Sequence, residues 1–204
     1  MSETFQFDEI SEQAIIAAIA TYPVGKQASA VMPLLDIVQR QMARLTGSAW
    51  VPRPAMDEVA RRLGIAPVRV YEIVTFYTMF NTRPIGKYHL QICTTTPCWL
   101  RGSDEIVKSC QKISGIGQFG ESSADGLFSL SEVECLGACV NAPMIQINDH
   151  YYEDLDVERV EKLLQDLKAG KALPPPGPTN GRHGTAPASG RTTLLETGGA
   201  DAQG

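Results

Sequence analysis

The chain has 204 residues, of which 43% are hydrophobic and 20% are charged, and its formal net charge is −5 at pH 7. This composition excludes a wholly disordered chain, and the length allows one or two domains with a buried core. The net negative charge disfavours a general nucleic-acid binder. The longest aliphatic run, residues 14–20, is too short to span a bilayer, and the acidic N-terminus is typical of neither a signal peptide nor an Arg-rich transit peptide. We therefore expect a soluble intracellular protein.

The first part of the chain is predicted to be helical. Apolar side chains recur at helical spacing from Leu34 to Leu45, and Gly47 is placed to end that helix. Pro54 and Pro67 each suit the first turn of a helix. The predicted helices are residues 9–21, 31–46, 54–63 and 67–80. A helix-breaking segment at residues 83–86 marks a junction, so residues 1–84 are expected to form an N-terminal helical bundle.

The second part of the chain has a mixed pattern. Residues 88–92 alternate between apolar and polar side chains, which predicts a strand that runs into Cys93. The later segments predict a helix at 102–114, a strand near 127–130, a hairpin of 144–147 with 151–153, and a last helix capped by Asp156. This β-α-β-β-β-α order is typical of a compact thioredoxin-like α/β layer, which we assign to residues 85–170. The whole chain is therefore expected to be α+β.

Charge and composition change again along the chain. Residues 93–169 contain 13 acidic and 6 basic side chains, whereas residues 1–92 contain 8 and 9. Residues 171–204 contain seven Gly and five Pro and few apolar side chains, so we expect a disordered tail there. The excess negative charge therefore lies in the cysteine-bearing part of the chain.

The five cysteines are the most informative residues of the sequence. An odd number of cysteines in an intracellular chain disfavours a disulfide framework. Cys93 and Cys98 form a C-x4-C pair, and Cys135 and Cys139 form a C-x3-C pair. Two such loops can build a four-sulfur site for a 2Fe–2S cluster or for zinc, and a dithiol role stays open. The wide spacing favours the cluster, while Cys110, on the apolar side of a predicted helix, is expected to be a core residue.

Two functions from other classes compete with a metal site. Residues 59–64 and the helix from Pro67 have the outline of a DNA-binding helix-turn-helix. The candidate recognition helix offers Arg69 as its only cation, so we expect helix packing or partner docking instead. A thiol–disulfide oxidoreductase needs a C-x-x-C pair at a helix N-terminus, and neither cysteine pair has that spacing.

Several motifs resemble one protein family. They are the C-x4-C pair, the sequence EVECLGACVNAPM at residues 132–144, NDHYYE at 148–153, and the lead-in FYTMF at 76–80. Together they resemble the NuoE-type subunit of NADH:quinone oxidoreductase, respiratory complex I, over residues 10–170. The resemblance implies a thioredoxin-like domain that follows a helical bundle. It also implies that Cys93, Cys98, Cys135 and Cys139 ligate one 2Fe–2S cluster and that Cys110 does not.

The resemblance also implies partners and a role. The partners would be the flavoprotein subunit that binds FMN and NADH, and the large iron–sulfur subunit of the peripheral arm, without nucleic acid or direct membrane insertion. The chain would act as a one-electron acceptor or buffer for reduced flavin and would not oxidise NADH alone. It would lie at the cytoplasmic face of the inner membrane, or on the matrix side if mitochondrial. Related subunits of NAD-linked formate dehydrogenases and hydrogenases are the alternative hosts.

Overall fold

The computed structural model describes residues 4–179 of the chain. The chain divides into two compact units, Met1–Lys87 and Tyr88–Gly204. Within residues 4–179, none of the helices combines the length and the hydropathy that a bilayer crossing requires.

The first unit is built from four α-helices. They are α1 (Glu9–Ala20), α2 (Val31–Thr46), α3 (Arg53–Leu63) and α4 (Pro67–Phe76), and a 3-10 turn at Gln27–Ala30 leads into α2. Asp8 caps α1 by accepting the Ser11 N–H at 2.8 Å, and Gly47 and Gly64 end α2 and α3 in the left-handed conformation. The buried faces of the helices meet in one apolar core that includes Ile15, Leu34, Leu35, Val38, Val59, Val70 and Val74. The first three predicted helices are confirmed.

The fourth helix is shorter than predicted, because it ends at Phe76 and not at residue 80. Tyr77 is extended, with φ −88° and ψ 110°. Beyond it, the Asn81 N–H donates to Gln39 Oε1 at 2.8 Å, and the Asn81 carbonyl accepts the Val51 N–H at 2.8 Å. These tertiary hydrogen bonds draw residues 77–81 toward α2 and the segment before α3. The apolar pattern that continues past residue 76 therefore does not extend the helix.

The second unit contains a five-stranded mixed sheet in the order β2-β3-β1-β4-β5. The strands are β1 (Tyr88–Cys93), β2 (Glu121–Ser122), β3 (Phe128–Val133), β4 (Ile145–Ile147) and β5 (His150–Tyr152). β1 and β3 are parallel, and the other neighbouring pairs are antiparallel. Tyr88, Leu90 and Ile92 alternate into a core that is completed by α6 (Ser103–Ser114) and α7 (Val157–Lys168). The predicted thioredoxin-like α+β arrangement is confirmed.

Three local features differ from the predictions. Thr96–Leu100 form a short helix, α5, inside the segment predicted to be a loop between Cys93 and Cys98. Strand β2 was not predicted because two residues are too few to show an alternating pattern. Disorder was expected from residue 171, but the Gly177 N–H donates to the Tyr151 carbonyl at 2.8 Å, and Leu173 packs on the core. Leu173 therefore contacts the core and Gly177 pairs with β5, and residues 180–204 of the predicted tail lie outside the described residues.

Candidate metal centre

The first cysteine pair is buried at the end of β1. Cys93 is the last residue of the strand, Cys98 lies in the first turn of α5, and each is 1% exposed. Burial, and after it the neighbouring Cys93 side chain, raises the pKa of Cys98 to about 12, whereas the Met144 backbone N–H acts in the opposite direction. A bound cation would have to offset this cost before Cys98 could act as a thiolate ligand.

The second cysteine pair is exposed and lies in the connection between β3 and β4. The Sγ atoms of Cys135 and Cys139 are 3.2 Å apart. Gly137 has φ +84°, a conformation that favours glycine. The Gly137 N–H lowers the pKa of Cys135, whereas the contact with Cys135 raises the pKa of Cys139. The loop thus aims a backbone donor at sulfur, which the small residues at 137 and 138 allow.

The sheet topology brings the two pairs to one place. Because β1 and β3 are parallel neighbours, with Cys93 paired to Val133, both strands end at the same edge of the sheet. Thr95, in the loop that follows β1, has its Oγ1 3.2 Å from Cys93 Sγ, and after the Gly137 N–H and Cys139 it is a further group that lowers the pKa of Cys135. Cys93 and Cys98 share a small apolar cluster with Ala138, Ala142 and Met144 from the second loop. The two cysteine pairs therefore lie close to each other at this end of the sheet.

Polar contacts hold the loop that carries Cys135 and Cys139 against β5 and the residues that follow it. Asn141, fully buried, donates from Nδ2 to the Glu153 carboxylate at 2.7 Å, and its carbonyl accepts the Asp154 N–H at 2.8 Å. The Tyr151 hydroxyl donates to the Leu136 carbonyl at 3.0 Å. The sequence assigned no role to Asn141, Glu153 or Thr95, although the first two lie in the motifs at 132–144 and 148–153. The sequence offered a signal for two of them, because Thr95 and Asn141 each lie two residues after a proposed ligand cysteine, whereas Glu153 is distant from all of the cysteines.

Cys110 lies outside this site, as predicted. It is fully buried on α6, in the core between the helices and the sheet. Burial raises the pKa of its thiol to about 12, so it stays protonated at neutral pH. A neutral thiol in an apolar core is an ordinary small hydrophobic side chain.

The donors of this site are four cysteine sulfurs, in one buried pair and one exposed pair. A structural zinc ion must collect four ligands around one centre, whereas each iron of a 2Fe–2S cluster takes two cysteine sulfurs. The donor set therefore fits a binuclear iron–sulfur cluster.

Comparisons with known proteins agree with this geometry. Residues 15–168 match the model of the family described as thioredoxin-like [2Fe-2S] ferredoxin. A subunit of the NADH-quinone oxidoreductase of Rickettsia felis is 51% identical over 166 residues, which are 81% of this chain and 96% of that protein. The mitochondrial NADH dehydrogenase [ubiquinone] flavoprotein 2 of Dictyostelium discoideum is 47% identical over 94% of this chain and 75% of its own length.

A solved structure has the same fold. The chain matches a NAD⁺-reducing [NiFe]-hydrogenase in the air-oxidized state with a TM-score of 0.55 and 23% identity. The match covers 67% of this chain and 23% of the hydrogenase chain. At this identity the likeness concerns the fold alone.

Proposed function

The chain belongs to the thioredoxin-like [2Fe-2S] ferredoxin family, and we propose that it is the one-electron transfer subunit of an NADH:quinone oxidoreductase, complex I. We propose Cys93, Cys98, Cys135 and Cys139 as the ligands of its single 2Fe–2S cluster. The observation that carries this proposal is the convergence of a buried and an exposed cysteine pair at one sheet edge. Residues 1–84 are proposed as the helical domain and residues 85–170 as the cluster domain.

The residues around the site suit electron transfer. A bound 2Fe–2S cluster accepts one electron at a time. Cys93 and Cys98 keep one side of the site away from water, because both are 1% exposed. Cys135 and Cys139 leave the other side open, which is where we propose that an electron donor approaches. Trp99, Leu100 and Val140, which are exposed on the same two loops, offer that donor an apolar surface.

Nearby charge influences the potential at which the site accepts an electron. Glu134 raises the energy of a negative charge on Cys135, and the acidic excess in residues 93–169 acts in the same direction. The Gly137 N–H and the Thr95 hydroxyl act in the opposite direction, because each stabilises negative charge on sulfur. Since solvent screens the more distant charges, the adjacent hydrogen bonds have the larger effect per group.

The proposed partners are an FMN- and NADH-binding flavoprotein subunit and the large iron–sulfur subunit of the peripheral arm. The names of the relatives at 47–51% identity support this assignment, because they are subunits of NADH-oxidising complexes. FMN and NADH would both be held by the flavoprotein, and this chain would buffer single electrons from reduced flavin. A hydrogenase or formate dehydrogenase host is less well supported, since the hydrogenase likeness is one of fold. The proposed location is the peripheral arm, at the cytoplasmic or matrix face of the membrane.

Purification of the chain with its native partners tests the proposed host. We expect FMN and a flavoprotein to copurify, and we expect NADH to generate a 2Fe–2S signal in electron paramagnetic resonance (EPR) spectra, because only the reduced cluster is paramagnetic. The matched control is the same preparation without NADH. Copurification with hydrogenase or formate dehydrogenase subunits would contradict the complex I assignment while leaving the cluster assignment intact.

A further inference from the structure

Thr95 occupies the N-cap position of α5 but does not cap the helix. A threonine there commonly accepts a backbone N–H from the first turn. In this chain the side chain makes no such bond. Its Oγ1 instead lies 3.2 Å from Cys93 Sγ. The hydroxyl is thus placed at one sulfur of the buried pair.

The neighbouring threonines show that this placement is specific within the loop. Thr94 donates its hydroxyl proton to Glu132 Oε1 at 2.6 Å, away from the sulfurs. Thr96 is exposed at the start of α5. Three consecutive side chains of one type therefore have three different surroundings, and Thr95 is the one directed at the cysteines. The loop supplies its own matched control at position 96.

The chemistry of the contact sets the direction of its effect. A cysteine that ligates iron is a thiolate without a proton, so the threonine hydroxyl must be the donor. A hydroxyl has one proton, so Thr95 donates one hydrogen bond, and Cys93 is the sulfur that lies 3.2 Å from its Oγ1. This bond withdraws negative charge from a ligand sulfur. Because reduction adds negative charge to the site, hydrogen bonds to the sulfurs favour the reduced state.

We propose that Thr95 is a positioning residue for the electron-transfer site: its hydroxyl donates to the Cys93 sulfur and raises the reduction potential of the cluster. This inference rests on the proposed ligand assignment. Thr95→Val removes the hydroxyl and keeps the shape of the side chain. Thr95→Ser keeps the hydroxyl, and Thr96→Val removes an exposed hydroxyl from the same loop.

The experiment is an EPR-monitored redox titration of the full chain prepared without oxygen. We expect Thr95→Val to reduce the equilibrium constant for cluster reduction about tenfold, which for a one-electron couple is a downward shift of about 59 mV. Thr95→Ser should recover most of the shift, and Thr96→Val should titrate like the wild type. A Thr95→Val potential equal to that of the Thr96→Val control, in protein that retains its cluster, would overturn the proposal.

Iron and sulfide counts separate this proposal from the ligand assignment. A wild-type chain without a 2Fe–2S cluster would refute the proposed function, and this inference with it, whereas an unchanged potential in loaded protein refutes the role of Thr95 alone. If Thr95→Val loses the cluster, Thr95→Ala is titrated in its place. If both lose it, full iron content in Thr95→Ser supports the role of the hydroxyl at the Cys93 sulfur. An iron content in Thr95→Ser no higher than in Thr95→Ala contradicts that role.

Discussion

The hydrogen bond between Asn141 and Glu153 is expected to hold the loop that carries Cys139. Asn141 is fully buried, Glu153 is 7% exposed, and their side chains are 2.7 Å apart. A hydrogen bond to a charged group contributes about 1.5–3 kcal/mol, and a partner left buried without it adds a desolvation cost. Asn141→Ala should therefore lower the free energy of unfolding by about 2–3 kcal/mol. That loss corresponds to roughly a 30- to 150-fold larger unfolding equilibrium constant.

The assay uses the absorbance of the cluster to report the unfolding of the second unit, which carries the four cysteines. Visible absorbance of the cluster is followed in urea at equilibrium, and its bleaching by an iron chelator is followed over time. Glu153→Gln is the matched control, because its amide oxygen can still accept the Asn141 N–H, and its loss should be smaller. Asn141→Ala within about 0.5 kcal/mol of the wild type, with an unchanged bleaching rate, would refute the reasoning.

Three further predictions concern the cores and the sheet. Cys110→Ala should keep the full iron content, since Cys110 is buried away from the site; iron loss in this variant alone among core substitutions would contradict its assignment. Gln41→Leu should cost about 1–3 kcal/mol of folding stability and speed hydrogen exchange of the Asp8 amide. The reason is that buried Gln41 accepts the Asp8 N–H at 3.0 Å and donates to the Gln6 carbonyl at 2.8 Å. The exposed Gln13→Leu variant is the control, and equal exchange rates in both variants would contradict this role. Burial lowers the pKa of His89 from 6.5 to about 4. The neutral ring therefore stabilises the fold above pH 6.5. This contribution, up to about 3 kcal/mol, is lost as the pH falls from 6.5 toward 4. Urea midpoints between pH 4 and 7 should vary less in His89→Gln, and identical pH profiles would be inconsistent with a buried neutral ring.

The elements with clear periodicity were predictable from the sequence. Alternation at residues 88–92 and the apolar stripe after Asp156 correspond to β1 and α7. Helix α5 was not predictable, because a helix of five residues that contains Pro97 shows no apolar periodicity. The end of α4 was also not predictable, since hydrogen bonds from Asn81 to distant segments decide it.

The features of the candidate site were also predictable only in part. The spacing of the four cysteines predicted a four-sulfur site but did not distinguish zinc from a cluster by itself. The match of residues 15–168 to thioredoxin-like [2Fe-2S] ferredoxins makes that distinction, and the parallel pairing of β1 with β3 brings the two cysteine pairs to one end of the sheet. The contacts of Thr95 and Asn141 depend on loop geometry, which no sequence period encodes.

Residues 171–179 have a defined structure although their composition predicts disorder, and a few contacts account for the difference. Three prolines follow Leu173, a composition typical of disorder. The Leu173 side chain packs on the core, the Tyr152 hydroxyl donates to the Pro174 carbonyl at 3.1 Å, and Gly177 pairs with β5. One of these contacts is to the core and two involve the edge strand β5, and composition alone carries no information about such contacts.

Iron and acid-labile sulfide counts on the chain prepared without oxygen test the central claim most directly. We predict two iron and two sulfide ions per wild-type chain, as in a 2Fe–2S cluster. Alanine at any of Cys93, Cys98, Cys135 or Cys139 should lower both counts, whereas Cys110→Ala should match the wild type. Stoichiometric zinc without sulfide, or full iron and sulfide after loss of one of the four cysteines, would contradict the assignment of a four-cysteine 2Fe–2S site.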